Sequence, residues 1–223
     1  MENAVDFARD ELVPRLRGLL HAWAFWFALI AAVVLVAIAP DGKATMAAAI
    51  YGAGLCALFG ASATYHRWRG NPRWKPILRR IDHGTIFVLI AASYTPVSLL
   101  VLHSPLRWIV LASVWAGALA GVAMAVWWIE APRALVAASY IAVGWVAVAA
   151  MPQLFSHRGL GLPLLLLAGG ILYTLGAVSY ATKRPNPWPR TYGFHEVFHT
   201  LVIAAAVVHF VAIAGVIANP ISS

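Results

Sequence analysis

The chain has 223 residues, of which 62% are hydrophobic and 11% charged, and its formal net charge is +8. Apolar residues fall in long unbroken runs, a balance that excludes a water-soluble domain and marks a polytopic membrane protein. The positive charge does not imply nucleic acid as a partner, because the basic residues sit between the apolar runs, where they set topology and meet anionic head groups of the lipid bilayer.

Met1 to Gly18 is polar and acidic with an interior Pro14, and lacks the basic start and small-residue cleavage site of a secretory signal. Residues 1–19 are therefore expected as a cytoplasmic segment ahead of an uncleaved anchor. Seven apolar runs follow: Leu20 to Ala39, Ala44 to His66, Asp82 to His103, Trp108 to Ile129, Ala134 to Met151, Leu160 to Ala181 and His195 to Ala218. Each is about 18 to 24 residues, enough for a helix to cross a hydrocarbon core of about 30 Å. The fifth is the shortest. Pro, Gly and charged residues separate the runs, as in Arg67 to Arg80, Pro152 to Gly159 and Lys183 to Tyr192. The expected architecture is an all-α seven-helix transmembrane bundle over residues 20–218 with a short tail, 219–223.

With seven spans, the N-terminal segment and the second, fourth and sixth linkers share one side, and they hold 3, 6, 1 and 3 Lys or Arg, 13 in all. The opposite side holds Lys43, Arg107 and Arg158. The positive-inside rule puts the first group, and the N-terminus, in the cytoplasm. Trp108, Trp127 and Trp128 near the ends of the fourth run fit an interfacial aromatic belt. Cys56, mid-span and alone, forms no disulfide within the chain. Pro96 is expected to kink the third span and open a cavity below the polar residues described next. Gly117 and Gly121, four apart, suit close helix packing within the bundle.

Topology gathers the polar residues. His66 closes the second run, Asp82 and His83 open the third, and His195, Glu196 and His199 open the seventh, so all fall at cytoplasmic ends. His195 and His199 lie one turn apart on one helix face, able to grip one ion. Histidine is rare in lipid-buried helices without a partner. Three neutral imidazoles with an open fourth position are the ligand set of catalytic zinc, in which water fills the vacancy. Asp82 or Glu196 could orient or deprotonate that water. The competing reading makes the histidines interfacial groups bonded to lipid or to Asp82, and Asp82 an acid favoured by a helix's first turn. His83 is about 100° around the helix from Asp82, which favours packing over ligation.

Ser62-Ala63-Thr64-Tyr65-His66, then Asp82-His83, then His195-x-x-x-His199 resembles, in order and over nearly the whole chain, the haemolysin III proteins and the progestin and adipoQ receptor (PAQR) family, within the larger group of membrane hydrolases that includes alkaline ceramidases. Its small size is similar to the bacterial haemolysin III branch, which implies a multi-pass protein of the bacterial inner (plasma) membrane. The resemblance implies Zn2+ held by His66, His195 and His199, with Asp82 holding the zinc-associated water and Ser62 one turn from His66. A serine there can otherwise bond its own backbone. The expected activity is zinc-dependent hydrolysis of a lipid amide or ester, with membrane lipid as substrate and a role in lipid homeostasis. A non-enzymatic membrane-state sensor or receptor with structural zinc, and a pore-forming haemolysin, are the alternatives.

His195-Glu196-x-x-His199 also matches the zinc metalloprotease signature, in which Glu is the general base. That pattern needs a third ligand downstream. His209 lies about 21 Å along a helix from His195, too far to share an ion, and is read as a hydrogen bond across helices. Since the receptor branch of the resembled family does not depend on a Glu here, Asp82 is preferred over Glu196 as the water-positioning residue.

Overall fold

The structure is a computed structural model that describes residues 14–221; the expected cytoplasmic segment up to residue 13 and the last two residues of the expected tail lie outside the described residues. Seven helical segments long and apolar enough to cross a membrane follow one another: Leu19–Ile38, Gly42–Arg67, Pro72–Leu100, Leu106–Trp127, Arg133–Arg158, Gly161–Thr182 and Phe194–Ala218. They are numbered here as the first to seventh spans.

Consecutive spans pack on one another, and the seventh also touches the first, second and third. The third span is the most buried, while the first and sixth are the most exposed to lipid. In the first span His21, Ala24, Ala28 and Leu35 are buried at helical spacings that define one face. Trp23, Phe27 and Ile30, each more than 60% exposed, cover the other. Small residues bring the backbones together. A Cβ on Gly52 would stand 2.6 Å from that of Ala32 in the first span, and Gly121 lies directly against the Phe87 ring of the third. Gly117 abuts Val143 of the fifth span, so the glycine pair of the fourth span serves internal packing.

Two boundaries differ from the expectation. The third helix begins at Lys75, after a 3-10 turn over Pro72–Trp74, rather than at Asp82. Pro76 in its first turn costs no hydrogen bond there, and the basic turn that follows is helical although too polar for the lipid core. Asp82 is thus two turns inside its helix, which removes the explanation of that residue as a first-turn acid. The helix continues through Pro96 to Leu100.

The fifth span runs on to Arg158 rather than ending at Met151, and it is broken: α-helix over Arg133–Gly144, 3-10 helix over Trp145–Ala150, and α-helix again over Met151–Arg158. Tyr94 of the third span fills the break. Its hydroxyl donates to the Gly144 carbonyl and accepts from the Ala147 N–H at 2.8 Å, supplying partners to backbone groups in the break. Trp145 donates through Nε1 to Thr174 Oγ1 of the sixth span at 3.0 Å.

Candidate metal centre

Two helix ends meet beside the basic second and sixth linkers. His66 is in the last turn of the second span, while His195 and His199 are in the first two turns of the seventh. One ring nitrogen from each lies within 4.8 Å of the other two, and His66 Nε2 stands 3.1 Å from His195 Nε2. Two imidazoles bound to one tetrahedral zinc at 2.0–2.1 Å would place their nitrogens about 3.3 Å apart, so the donor set and its spacing fit that ion.

Asp82 enters from the third span. Its Oδ2 is 3.8 Å from His66 Nε2, and its side chain is 10% exposed. Ser62, buried one turn before His66, lies beside Asp82 on the wall of the same cavity. Ser62, Asp82, His195 and His199 line one cavity, and His66 stands at its edge beside Asp82. His83 lines the same cavity beside them, and its backbone carbonyl accepts from the Tyr140 hydroxyl at 3.2 Å.

Glu196 is occupied elsewhere. Oε1 takes the Arg17 Nε–H at 2.6 Å and Oε2 takes the Gly193 N–H at 2.9 Å, with the carboxylate 1% exposed. It caps the seventh helix and braces the chain that leads into the first span. The same chain is tied to the sixth linker, where Arg15 N–H donates to the Arg190 carbonyl and Leu16 N–H to that of Thr191. Gly18 follows with φ 72°, a left-handed turn that glycine adopts without penalty. A Cβ there would stand 2.6 Å from the His66 Cβ, so the turn also lets this chain press against a proposed ligand.

His21 completes the site and was not among the residues singled out above. Its ring stacks on His199 with centroids 3.8 Å apart and planes 4° from parallel, and its edge meets Phe59. It is 2% exposed, and among the described residues neither ring nitrogen makes a well-formed hydrogen bond. The one signal in the sequence is a histidine inside an apolar run, the argument already used for His195.

From this polar end an apolar cavity of about 100 Å³ leads into the bundle between the third, fifth, sixth and seventh spans. Ile86, Leu89, Ile90 and Val202 supply its walls, and Tyr94, Tyr173 and His209 lie farther in. A pocket that is apolar along its walls and polar at one end suits a ligand of the same polarity pattern.

The comparisons with known proteins agree with the motif resemblance. The haemolysin-III-related family matches residues 11–210. The chain is 28% identical to Hemolysin-3 of Bacillus cereus over 94% of its length and 93% of the relative's. It is 32% identical to a Hemolysin-3 homolog of Bacillus subtilis (strain 168) over 72% of each chain. Monocyte to macrophage differentiation factor of Homo sapiens is 29% identical over 86% of this chain and 79% of that protein. With seven membrane-crossing helices in that order, the chain is a multi-pass integral membrane protein and belongs to the haemolysin III family, of PAQR type.

Proposed function

We propose that the protein is a zinc-dependent hydrolase of lipid amide or ester bonds, linked to membrane lipid homeostasis. The observation that carries this reading is the placing of three imidazoles and a buried carboxylate at one end of an apolar cavity. His66, His195 and His199 would hold the ion. Bound there, zinc supplies a Lewis acid that polarises the scissile carbonyl and acidifies water.

The remaining work falls to the chain's own groups. Asp82 accepts the proton shed as water oxygen bonds to the carbonyl carbon, and returns it to the leaving amine or alcohol as the bond to carbon breaks. Ser62 orients that carboxylate by hydrogen bonding. The apolar walls seat the acyl chain and keep bulk water from it, while the head group stays at the membrane face.

The test pairs metal content with turnover. Elemental mass spectrometry on gently purified protein should find about one zinc per chain, lost in both His66→Ala and His199→Ala, and liposome assays with lipid amides should find cleavage only in the zinc-loaded wild type. A folded wild type without metal would overturn the reading. Because the three ligands join the second and seventh spans, they also support structural zinc in a membrane-state sensor; full zinc loading, metal-dependent thermal stability and no cleavage of any lipid amide or ester would select it. A pore is less well supported, since the ligating side chains gather at one end of the bundle.

A further inference from the structure

Deep in the same cavity His209 carries a second polar site. It lies ten residues beyond His199 on the seventh span, about 15 Å along the helix. Its Nε2 is 3.1 Å from the Leu166 carbonyl of the sixth span. A carbonyl can only accept, so Nε2 carries the hydrogen, and in the neutral ring Nδ1 is left with a lone pair.

Among the described residues that lone pair has no partner: Nδ1 is buried without a hydrogen bond. The ring is held in place from three directions. Gly169 of the sixth span lies against the Cδ2–Nε2 edge, so closely that a Cβ there would overlap it. Tyr173 meets the ring edge-to-face at 5.4 Å, and the Leu166 carbonyl fixes its rotation. Nδ1 is on the opposite edge from Gly169, away from the sixth-span backbone. An acceptor left unpaired in an apolar membrane core is unfavourable, and a ligand carrying a donor would offset that cost.

A second cavity, about 60 Å³, begins at this point. It shares Ser93, Tyr94, Gly144, Gly170 and His209 with the first, and continues past Val97, Leu102, Val110 and Leu154. Its Ser98 hydroxyl is also buried with no partner among the described residues. His209 therefore stands at the junction of two apolar chambers, the first of which ends at the metal centre.

We infer that His209 is a binding subsite for a hydrogen-bond donor, a hydroxyl, carried part-way along the hydrocarbon chain of the lipid ligand. The chain runs from the carbonyl at the metal centre through the first chamber, presents its hydroxyl to Nδ1, and continues into the second. An extended chain advances about 1.2 Å per backbone bond, so about 15 Å places the hydroxyl about a dozen bonds from the carbonyl. This rests on the reading of the first cavity as the seat of a lipid chain. Ordered water on Nδ1 is the other way to satisfy the ring, and it gives no preference among ligands.

The experiment uses two radiolabelled long-chain ketones, uncleavable by hydrolysis, one with a hydroxyl on about the twelfth carbon and one without. Each is titrated against the whole protein in lipid nanodiscs. Wild type should bind the hydroxylated ketone about tenfold more tightly. His209→Phe should bind both equally, with the plain ketone close to its wild-type affinity, which also reports a folded cavity. Gly169→Ala, which displaces the ring, should lose the preference while leaving every group at the metal centre in place. Equal binding of both ketones by wild type, or a preference that survives in His209→Phe, would overturn the subsite and leave the lipid cavity standing. Binding of neither ketone by wild type would overturn the lipid reading of the cavity together with the subsite.

Discussion

Histidines meet at both ends of the bundle, and the two meetings differ in nearly everything except ring spacing. At the inner end His66 and His195 have ring centroids 4.7 Å apart; at the outer end His103 and His157 have theirs 4.6 Å apart. The inner pair gains a third imidazole from His199 and a carboxylate from Asp82, all at least partly buried. The outer pair has His157 exposed, and among the described residues the His66, His195 and His199 group is the one arranged to hold an ion. Two rings at contact distance are thus a packing event. A site needs further donors on separate elements, and a surround that holds them when no ion is present.

Among the described residues that surround is visible at the inner end. The Arg17–Glu196 ion pair and the Gly193 cap fix the start of the seventh helix, and His21 stacks on His199. At the outer end the neighbouring bonds are of another kind: the Gln153 side chain accepts the His103 backbone N–H at 3.1 Å, and Arg158 donates to the Asn219 carbonyl. These bonds close helix ends and leave the His157 ring to solvent.

The largest break in the comparison comes from removing the carboxylate. Asp82→Asn keeps a polar, isosteric group beside His66, so zinc content should stay near one per chain while lipid amide turnover falls by about 10³-fold. Preserved turnover in liposomes would take Asp82 out of the reaction and make the inner site a metal site only.

Next in size is the brace. Glu196→Ala strips Arg17 of its partner and the seventh helix of its cap, and truncating one member of a buried ion pair costs about 3–5 kcal/mol. A large fall in the thermal midpoint in detergent is expected, with Arg17→Ala adding little on top of it, because the two act as one unit. Additive losses would show that the contact carries little of the stability. A general base at Glu196, by contrast, predicts lost turnover with unchanged melting.

Much of this architecture is legible in the sequence, and the failures share a cause. Hydropathy reports which residues face lipid, so it locates all seven spans; it is silent about helix that extends past the hydrocarbon or changes pitch inside it. Lys75 to Ile81 is helical yet basic, and Pro152 looks like a linker residue although it sits in the first turn of a helix that restarts after the 3-10 segment. The histidine trio is legible because its three members fall at span ends on one side, and because the ordered motifs resemble a family. Glu196 could not be resolved that way, since its partner Arg17 is 179 residues distant in the chain. His21 went unnoticed because a lone histidine has no spacing to read. His209 was read as a cross-helix hydrogen bond, and its bond to Leu166 is one.

His21 offers a subtler distinction between a ring that packs and a ring that serves chemistry. Groups that position a zinc-bound histidine typically alter metal affinity by 10–100-fold when removed. His21→Ala should therefore weaken zinc binding about tenfold in competition with a chelator, by freeing the His199 ring it stacks upon. His21→Phe separates the two contributions, since it restores the flat surface without nitrogens. Recovery in the Phe variant assigns the effect to stacking; no recovery assigns it to the two ring nitrogens.

The smallest effect belongs to the outer pair, and its smallness is the point. His157 is exposed and His103 half-buried, and surface substitutions away from caps and networks change stability by about 0.5 kcal/mol or less. His157→Ala should leave the melting temperature, the zinc content and the turnover of the protein where they were, within that margin. The inner His195→Ala, removing a ring from a pair of nearly the same spacing, should lose the ion altogether. If His157→Ala also lowered the zinc content, ring proximity by itself would be enough to recruit metal, and the account of the inner centre as a product of three donors, a carboxylate and a rigid surround would fail with it.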